Sequence, residues 1–403
     1  MTVAATRRRR AERARRGIAL LTALVAILLV ALLSIGAMHL ALGDFRRTRD
    51  EGTMRRAANV ADAGAYDVLR RWATSPHEAT PVGQTLPPDS LQLPGASAVA
   101  RTTRASRTTW WTVSTGSAGD STERTLSRRT VQMAYRLALP DVVANAALVV
   151  RDSVTLAGGA RVVGSDTALA AWGALCPSLT QAAGLAMADT TRLCDGTCGS
   201  GSVGGRVHGF PPLLVDASAA LAPRYRVFGG ETWASLTAHA SVVLPPGSVV
   251  TPSPTIAAGG CDRTRIDNWG DPGGVGVCGT YAPLIWATGD VVLRGGAGQG
   301  VLLVEGDLTV SQGARFAGVV IVRDDVQSQG IGGTVLGAVL AGDANVAPGD
   351  HTRLDGATLV QRSRCAVDLA LEWSARLVPV RQRAWAPVRE PVDACRAPVV
   401  AAR

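Results

Sequence analysis

Apolar and polar positions change rhythm three times along the chain. Residues 18–42, IALLTALVAILLVALLSIGAMHLAL, run for 25 positions without Asp, Glu, Lys or Arg. At about 1.5 Å per residue, such a helix crosses a hydrocarbon layer of about 30 Å with some tilt. The pattern then becomes amphipathic: Ala57, Ala61, Gly64 or Ala65, Val68 and Trp72 recur at spacings of three and four, predicting that the helix continues and ends near Pro76. Residues 75–100, rich in Pro, Ser, Thr and Gly, read as a linker. TTWWTVSTG and RTLSRRTVQMAYRLAL, joined by SAGDSTE, alternate with period two and predict a β-hairpin.

Beyond Pro140 the rhythm is a repeat. AALVVRDSVTLAGGARVVG begins at Ala146, and similar units start at Pro283, Val301, Val319 and Ala338. Each holds a short apolar strand, a polar turn usually containing Asp, an alternating strand and a Gly-rich return, with a period of 18 or 19 residues. A unit this short cannot bury its own strands and must stack on its copies, which predicts a parallel β-solenoid. Residues 165–282 break the repeat and read as an inserted subdomain protruding from it. The expected class is α+β, mainly β, divided as 1–17 basic leader, 18–74 helix, 75–139 linker and hairpin, 140–364 solenoid with insertion 165–282, and 365–403 C-terminal segment.

Composition fits this reading. Aromatics are 4% and Gly numbers 45, favouring tight turns over aromatic-filled helical cores. The formal charge of +9 is concentrated at one end: Arg7, Arg8, Arg9, Arg10, Arg13, Arg15 and Arg16 stand against Glu12 before residue 18, and without them +3 remains. Basicity confined to a tail beside an apolar run is a topology signal rather than a nucleic-acid footprint; it places residues 1–17 in the cytoplasm and the bulk outside the membrane. All seven cysteines lie beyond the apolar run, where an oxidising compartment favours pairing. Cys261 with Cys278 and Cys365 with Cys395 are the expected bridges, and Cys176, Cys194 and Cys198 are left with alternatives open.

The junction Arg15-Arg16-Gly17-Ile18-Ala19-Leu20-Leu21, a basic leader ending in Gly before the apolar run, resembles the prepilin leader of type IV pilins and pseudopilins. The stretch RRAANVADAGAYDVLRRW and the phrase GQGVLLVEGDLTV resemble PilX-like type IV pilus assembly proteins. The resemblance implies cleavage between Gly17 and Ile18 by a prepilin peptidase, a single-pass place in a bacterial inner membrane, and other pilins as partners. Major pilins carry Glu at the fifth mature position; Thr22 stands there, which by analogy implies a minor or tip role.

Candidate chemistry is sparse. There is no GxSxG, HExxH or P-loop, and no cofactor is expected. The repeated Asp152, Asp290, Asp307, Asp325 and Asp343 could line a calcium ladder, but the nonapeptide pattern of calcium-binding rolls is absent, so they are assigned to capping a recurrent turn. Cys194 and Cys198 lack further zinc ligands at finger-like spacing, with His208 the single nearby candidate, so no metal is assigned. Asp262, Asp267 and Asp271 are the carboxylates a polysaccharide-active β-helix would need. Trp110, Trp111, Trp269 and Trp286 could face a sugar or partner, though such residues are more often core. The reading is a non-enzymatic minor pilin or pilus-assembly component, with a membrane-anchored adhesin or glycan binder, and then a β-helix enzyme, as alternatives.

Overall fold

The computed structural model describes residues 3–72, 77–78, 80–119, 127–176, 180–195, 197–198, 204–274, 276–342, 351–380 and 385–388. A continuous helix α1, Val3–Arg71, runs from the basic leader through the apolar run into the amphipathic stretch, so no break separates leader from anchor. Its upper half packs on an antiparallel sheet of β1 (Asp89–Leu93), β2 (Ala96–Arg104), β3 (Thr109–Ala118) and β4 (Ser127–Ala138). The expected hairpin is therefore the second half of a four-stranded meander, and the expected linker holds its first two strands. Proline and glycine around Leu93-Pro94-Gly95 mask the strand signal there because they form the turn between β1 and β2.

The stripe Ala57, Ala61, Ala65, Val68 and Trp72 is buried against this sheet, beneath Trp110, Met133 and Tyr135. Small residues let the helix lie close: a Cβ on Gly116 would sit 2.1 Å from the Ala57 carbonyl oxygen. The Tyr135 hydroxyl donates to the Ala65 carbonyl at 2.6 Å, and burial pushes its phenol pKa up.

The second unit consists of two largely parallel sheets, one of eight strands and a larger one of eleven. Leu284 pairs with Val301, Val301 with Val319 and Val319 with Ala338, steps of 17, 18 and 19 residues. The long strands Ala297–Val304, Ala314–Val322 and Gly333–Ala341 carry Gly300, Gly318 and Gly337 in register. These glycines have φ of +123°, +140° and +144°, and a Cβ on Gly318 would lie 2.0 Å from the Gly300 carbonyl oxygen. A side chain is excluded on both counts. Strand Gly333–Ala341 divides between two neighbours there, Leu359–Arg362 beside its first half and Ala146–Val150 beside its second.

Order in space is not order in sequence. From one end of the larger sheet to the other run Val242–Leu244, Leu284–Ala287, Ala297–Val304, Ala314–Val322, Gly333–Ala341, Ala146–Val150, Ala183–Met187 and Leu213–Val215. The chain thus enters mid-stack at Ala146, builds to one end, crosses to the other and winds back to meet its own first strand. Residues 165–282 are not a protruding insertion: they supply terminal strands at both ends and the crossing segment. Strands of two to five residues joined by unequal loops leave no period to read.

The crossing segment, residues 216–240, includes α2 (Trp233–Thr237) and lies along the outer face of the larger sheet. Ala219, Tyr225, Phe228, Trp233 and Leu236 pack there on Val149, Leu303, Val319, Ile321 and Leu340. Helix α3, Arg364–Trp373, packs beside that segment on the central strands, capped by the Ser363 side chain accepting from the Ala366 amide. Strands covered on both faces read as continuous apolar runs such as VVIV rather than as alternation. After α3, Arg376–Pro379 pairs antiparallel with β4, so the C-terminal segment returns to the first unit.

Candidate anchor and the seam that carries the second unit

Leu21, Leu24, Ile27, Leu28, Leu32, Leu33, Ile35, Met38 and Leu40 all lie on the described part of α1 with more than half their surface exposed. It is a helix long and apolar enough to cross a membrane, and none of that apolar stretch is buried in the protein. One helix therefore has two states: bare and apolar below, amphipathic and covered above. Gly17 and Ile18 fall inside its helical backbone, and Thr22 is exposed on it. His39 is also exposed, near the end of the apolar run.

The upper end of α1 meets the parallel unit at a seam held by charge. The buried carboxylate of Glu372 on α3 takes the guanidinium groups of Arg104, from β2, and Arg107. Arg104 also donates to the Thr80 carbonyl at 2.7 Å and lies 5.4 Å from the Trp110 ring centre. Glu78, just past α1, forms a two-pronged pair with Arg263 at 2.9 Å on each oxygen, and Arg263 stacks over Tyr281. Arg376 reaches Glu231 of the crossing segment at 3.0 Å. Burial alone would raise the Glu231 carboxyl, but hydrogen bonds from Ser235 and Arg376 and the Arg376 charge outweigh it and hold the group below its ordinary range. The Trp72 indole donates to the Ala375 carbonyl at 3.3 Å and its ring stacks on His77. Between these links is a cavity of about 320 Å³ lined by residues that include Trp72, His77, Tyr281 and Trp373. Sequence reading singled out none of these charges: Arg104 and Glu372 are 268 residues apart, and only the packed fold brings them together.

The cysteines pair as Cys176–Cys365, Cys194–Cys198 and Cys261–Cys278. Cys365 thus bonds to Cys176, not to the expected Cys395, which lies outside the described residues. Helix α3 folds back on the stack and shares a buried cluster with Trp172, and that brings Cys365 to the excursion carrying Cys176. The Cys194–Cys198 bridge takes both sulfurs that a zinc reading would need, and His208 is exposed on a separate strand.

The repeated aspartates cap turns from one repeat to the next. Asp290 Oδ1 accepts from the Asp307 amide at 2.9 Å, and Asp307 Oδ1 accepts from the Asp325 amide at 3.0 Å. Asp307, Asp324 and Asp325 hold carboxylate oxygens within 4.8 Å of one another. Asp152 pairs with Arg192, and Asp343 lies outside the described residues. Asp262 accepts from the Thr264 amide at 3.0 Å, Asp267 is clamped by Arg265, and Asp271 accepts from the Gly273 amide. The Thr264 hydroxyl and amide hold Asp262 below the usual carboxylate range, and Arg265 does the same for Asp267. Both are turn-forming anions without the raised pKa of a general acid. Of the four candidate tryptophans, Trp110 and Trp269 are buried in the two cores, Trp286 is half-buried against the outer cluster, and Trp111 is the exposed one.

No family model matches the chain, and no curated protein matches it. Among solved structures, the competence-associated pilin ComZ from Thermus thermophilus aligns over 84% of this chain and 96% of its own, with 12% identity and a TM-score of 0.22. That likeness is too slight to define a shared fold.

Proposed function

We propose that the chain is a minor-pilin or pilus-assembly component with no catalytic role. In this reading α1 is both membrane anchor and assembly helix, and the parallel unit is a β-solenoid displayed outside a bacterial inner membrane. The division of α1 carries it: one uninterrupted helix that from Ala57 onward is buried on an antiparallel sheet and whose uncharged run from Leu21 to Leu42 is uncovered. A span serving as a tether alone needs no rigid continuation into the folded unit. This helix has one, and the charged seam passes its rigidity on to the second unit. Removal of the leader between Gly17 and Ile18 frees the anchor for lateral packing among other pilins, and Thr22 offers no carboxylate to a neighbouring subunit, as suits a minor or tip position.

The test is photocrosslinking in piliated cells from Leu28 and Leu32 on the bare stretch. Capture of other pilin-type subunits is expected. Crosslinks confined to lipid in cells assembling pili contradict an assembly role.

A further inference from the structure

Just above the apolar run the surface turns basic. Arg46, Arg47, Arg55 and Arg56 on α1 and Arg128 and Arg129 at the start of β4 are exposed, and Arg49 is half-buried. Against these seven stand Asp44, Asp50 and Glu51, a surplus of four. Asp120, Glu123 and Arg124, in the connection between β3 and β4 outside the described residues, reduce it by one and leave its sign.

The contacts fix where these groups sit. Thr53 meets Ser127 at 2.9 Å, Arg129 reaches Met54, and an Arg56 nitrogen lies 3.7 Å from where Gly95 would carry a Cβ. The near rim of the antiparallel sheet, its β1–β2 turn and the start of β4, therefore faces back down α1 toward the apolar run. Leu93, in that turn, keeps 47% of its surface exposed.

At about 1.5 Å per residue, Arg46 and Arg47 lie roughly 6–8 Å above Leu42, the end of the apolar run. That is the depth of a headgroup layer, which adds roughly 5–8 Å on each side of the hydrocarbon. Arg55 and Arg56 lie about 20 Å up, and helix tilts within the ordinary range of about 0–40° bring the rim toward the surface. Lipid charge is felt within a Debye length, about 8 Å at physiological ionic strength.

We infer that this two-tier arginine collar binds the phosphate headgroups of anionic lipids on the outer face of the membrane, drawing the sheet rim and Leu93 onto the surface while the subunit is unassembled. The inference rests on α1 spanning the bilayer with the folded units outside.

The test is amide hydrogen exchange of the full chain in nanodiscs of phosphatidylcholine alone or mixed with phosphatidylglycerol, one copy per disc. Exchange at residues 92–96 and 127–130 slows severalfold in the anionic discs. It recovers at high salt and in the variant Arg46→Gln, Arg47→Gln, Arg128→Gln, Arg129→Gln. The basic leader lies on the other side of the bilayer and cannot produce this protection. Equal exchange in both discs overturns the collar while leaving the anchor intact. Protection that persists in the variant overturns it too and assigns the contact to the apolar turn, and protection that requires several copies per disc assigns it to chain–chain contact. A chain that does not stay in discs overturns the spanning reading and the collar with it.

Discussion

The two units are both β-rich, yet they hold themselves together in opposite ways. The antiparallel sheet is covered on one face by α1, and its strands alternate buried and exposed positions: in β3, Trp110, Thr112, Ser114 and Gly116 turn inward and Trp111 outward. Neighbours in this sheet are mostly neighbours in sequence, and α1 lies along one face of it. The parallel unit has central strands in its larger sheet that are covered on both faces, a spatial order that starts in the middle of its sequence, and a chain crossing that runs along its larger sheet. Its stability is shared among distant parts, and long-range bonds fasten it. Local pattern suffices to build a sheet of sequence neighbours; a stack that returns to its own first strand needs closure.

The largest test of that contrast removes the closure. Replacing Cys176 and Cys365 with Ser opens a cross-link of sequence separation 189, for which chain entropy assigns a loss of up to about 5 kcal/mol. The same change at Cys194 and Cys198, separated by 4, costs about 2 kcal/mol by the same reasoning. Denaturant midpoints of the two double variants should fall in that order, and equal losses would deny that the parallel unit depends on long-range closure.

Gly318→Val drives a side chain into the Gly300 carbonyl and crowds Ala370 of α3. A loss of about 4 kcal/mol or more is expected. It should appear as early exchange of the parallel-sheet amides while β3 and β4 stay protected; loss of protection in both units at once would show that they unfold together.

Glu372→Ala leaves Arg104 buried without its carboxylate and should cost about 3 kcal/mol, read by calorimetry. Trypsin cleavage at Arg107 should quicken, because the seam then opens. Unchanged cleavage would place the seam's strength elsewhere.

The smallest effect is in pH. The Glu231 pKa is lowered in the folded state, so its contribution is fully present above the unfolded value near 4.3 and is lost as pH falls through the folded value. As pH falls through the folded pKa, the native protein should lose stability that Glu231→Gln does not lose, measured as the difference between their melting-temperature profiles.

What could be read in advance follows the same contrast. Ala57, Ala61, Ala65, Val68 and Trp72 keep helical spacing, so their burial and the anchor below them are legible in the residues alone. The repeats from Pro283 to Ala341 are legible because short returns keep their steps at 17–19 residues. Ala183–Met187 and Val242–Leu244 belong to the same sheet, but unequal loops hide their period. Cys395 is the nearer partner for Cys365 in sequence, and sequence distance does not show that α3 folds back to Cys176. The seam charges were invisible for the same reason: Glu78 and Arg263 are 185 residues apart.

The mass of the mature N-terminus tests most directly the proposal that α1 is a processed pilin-type helix. Protein taken from cells with an active prepilin peptidase should begin at Ile18, with Thr22 as its fifth residue. A chain from the same cells that still carries Gly17 and the arginines before it would contradict the account.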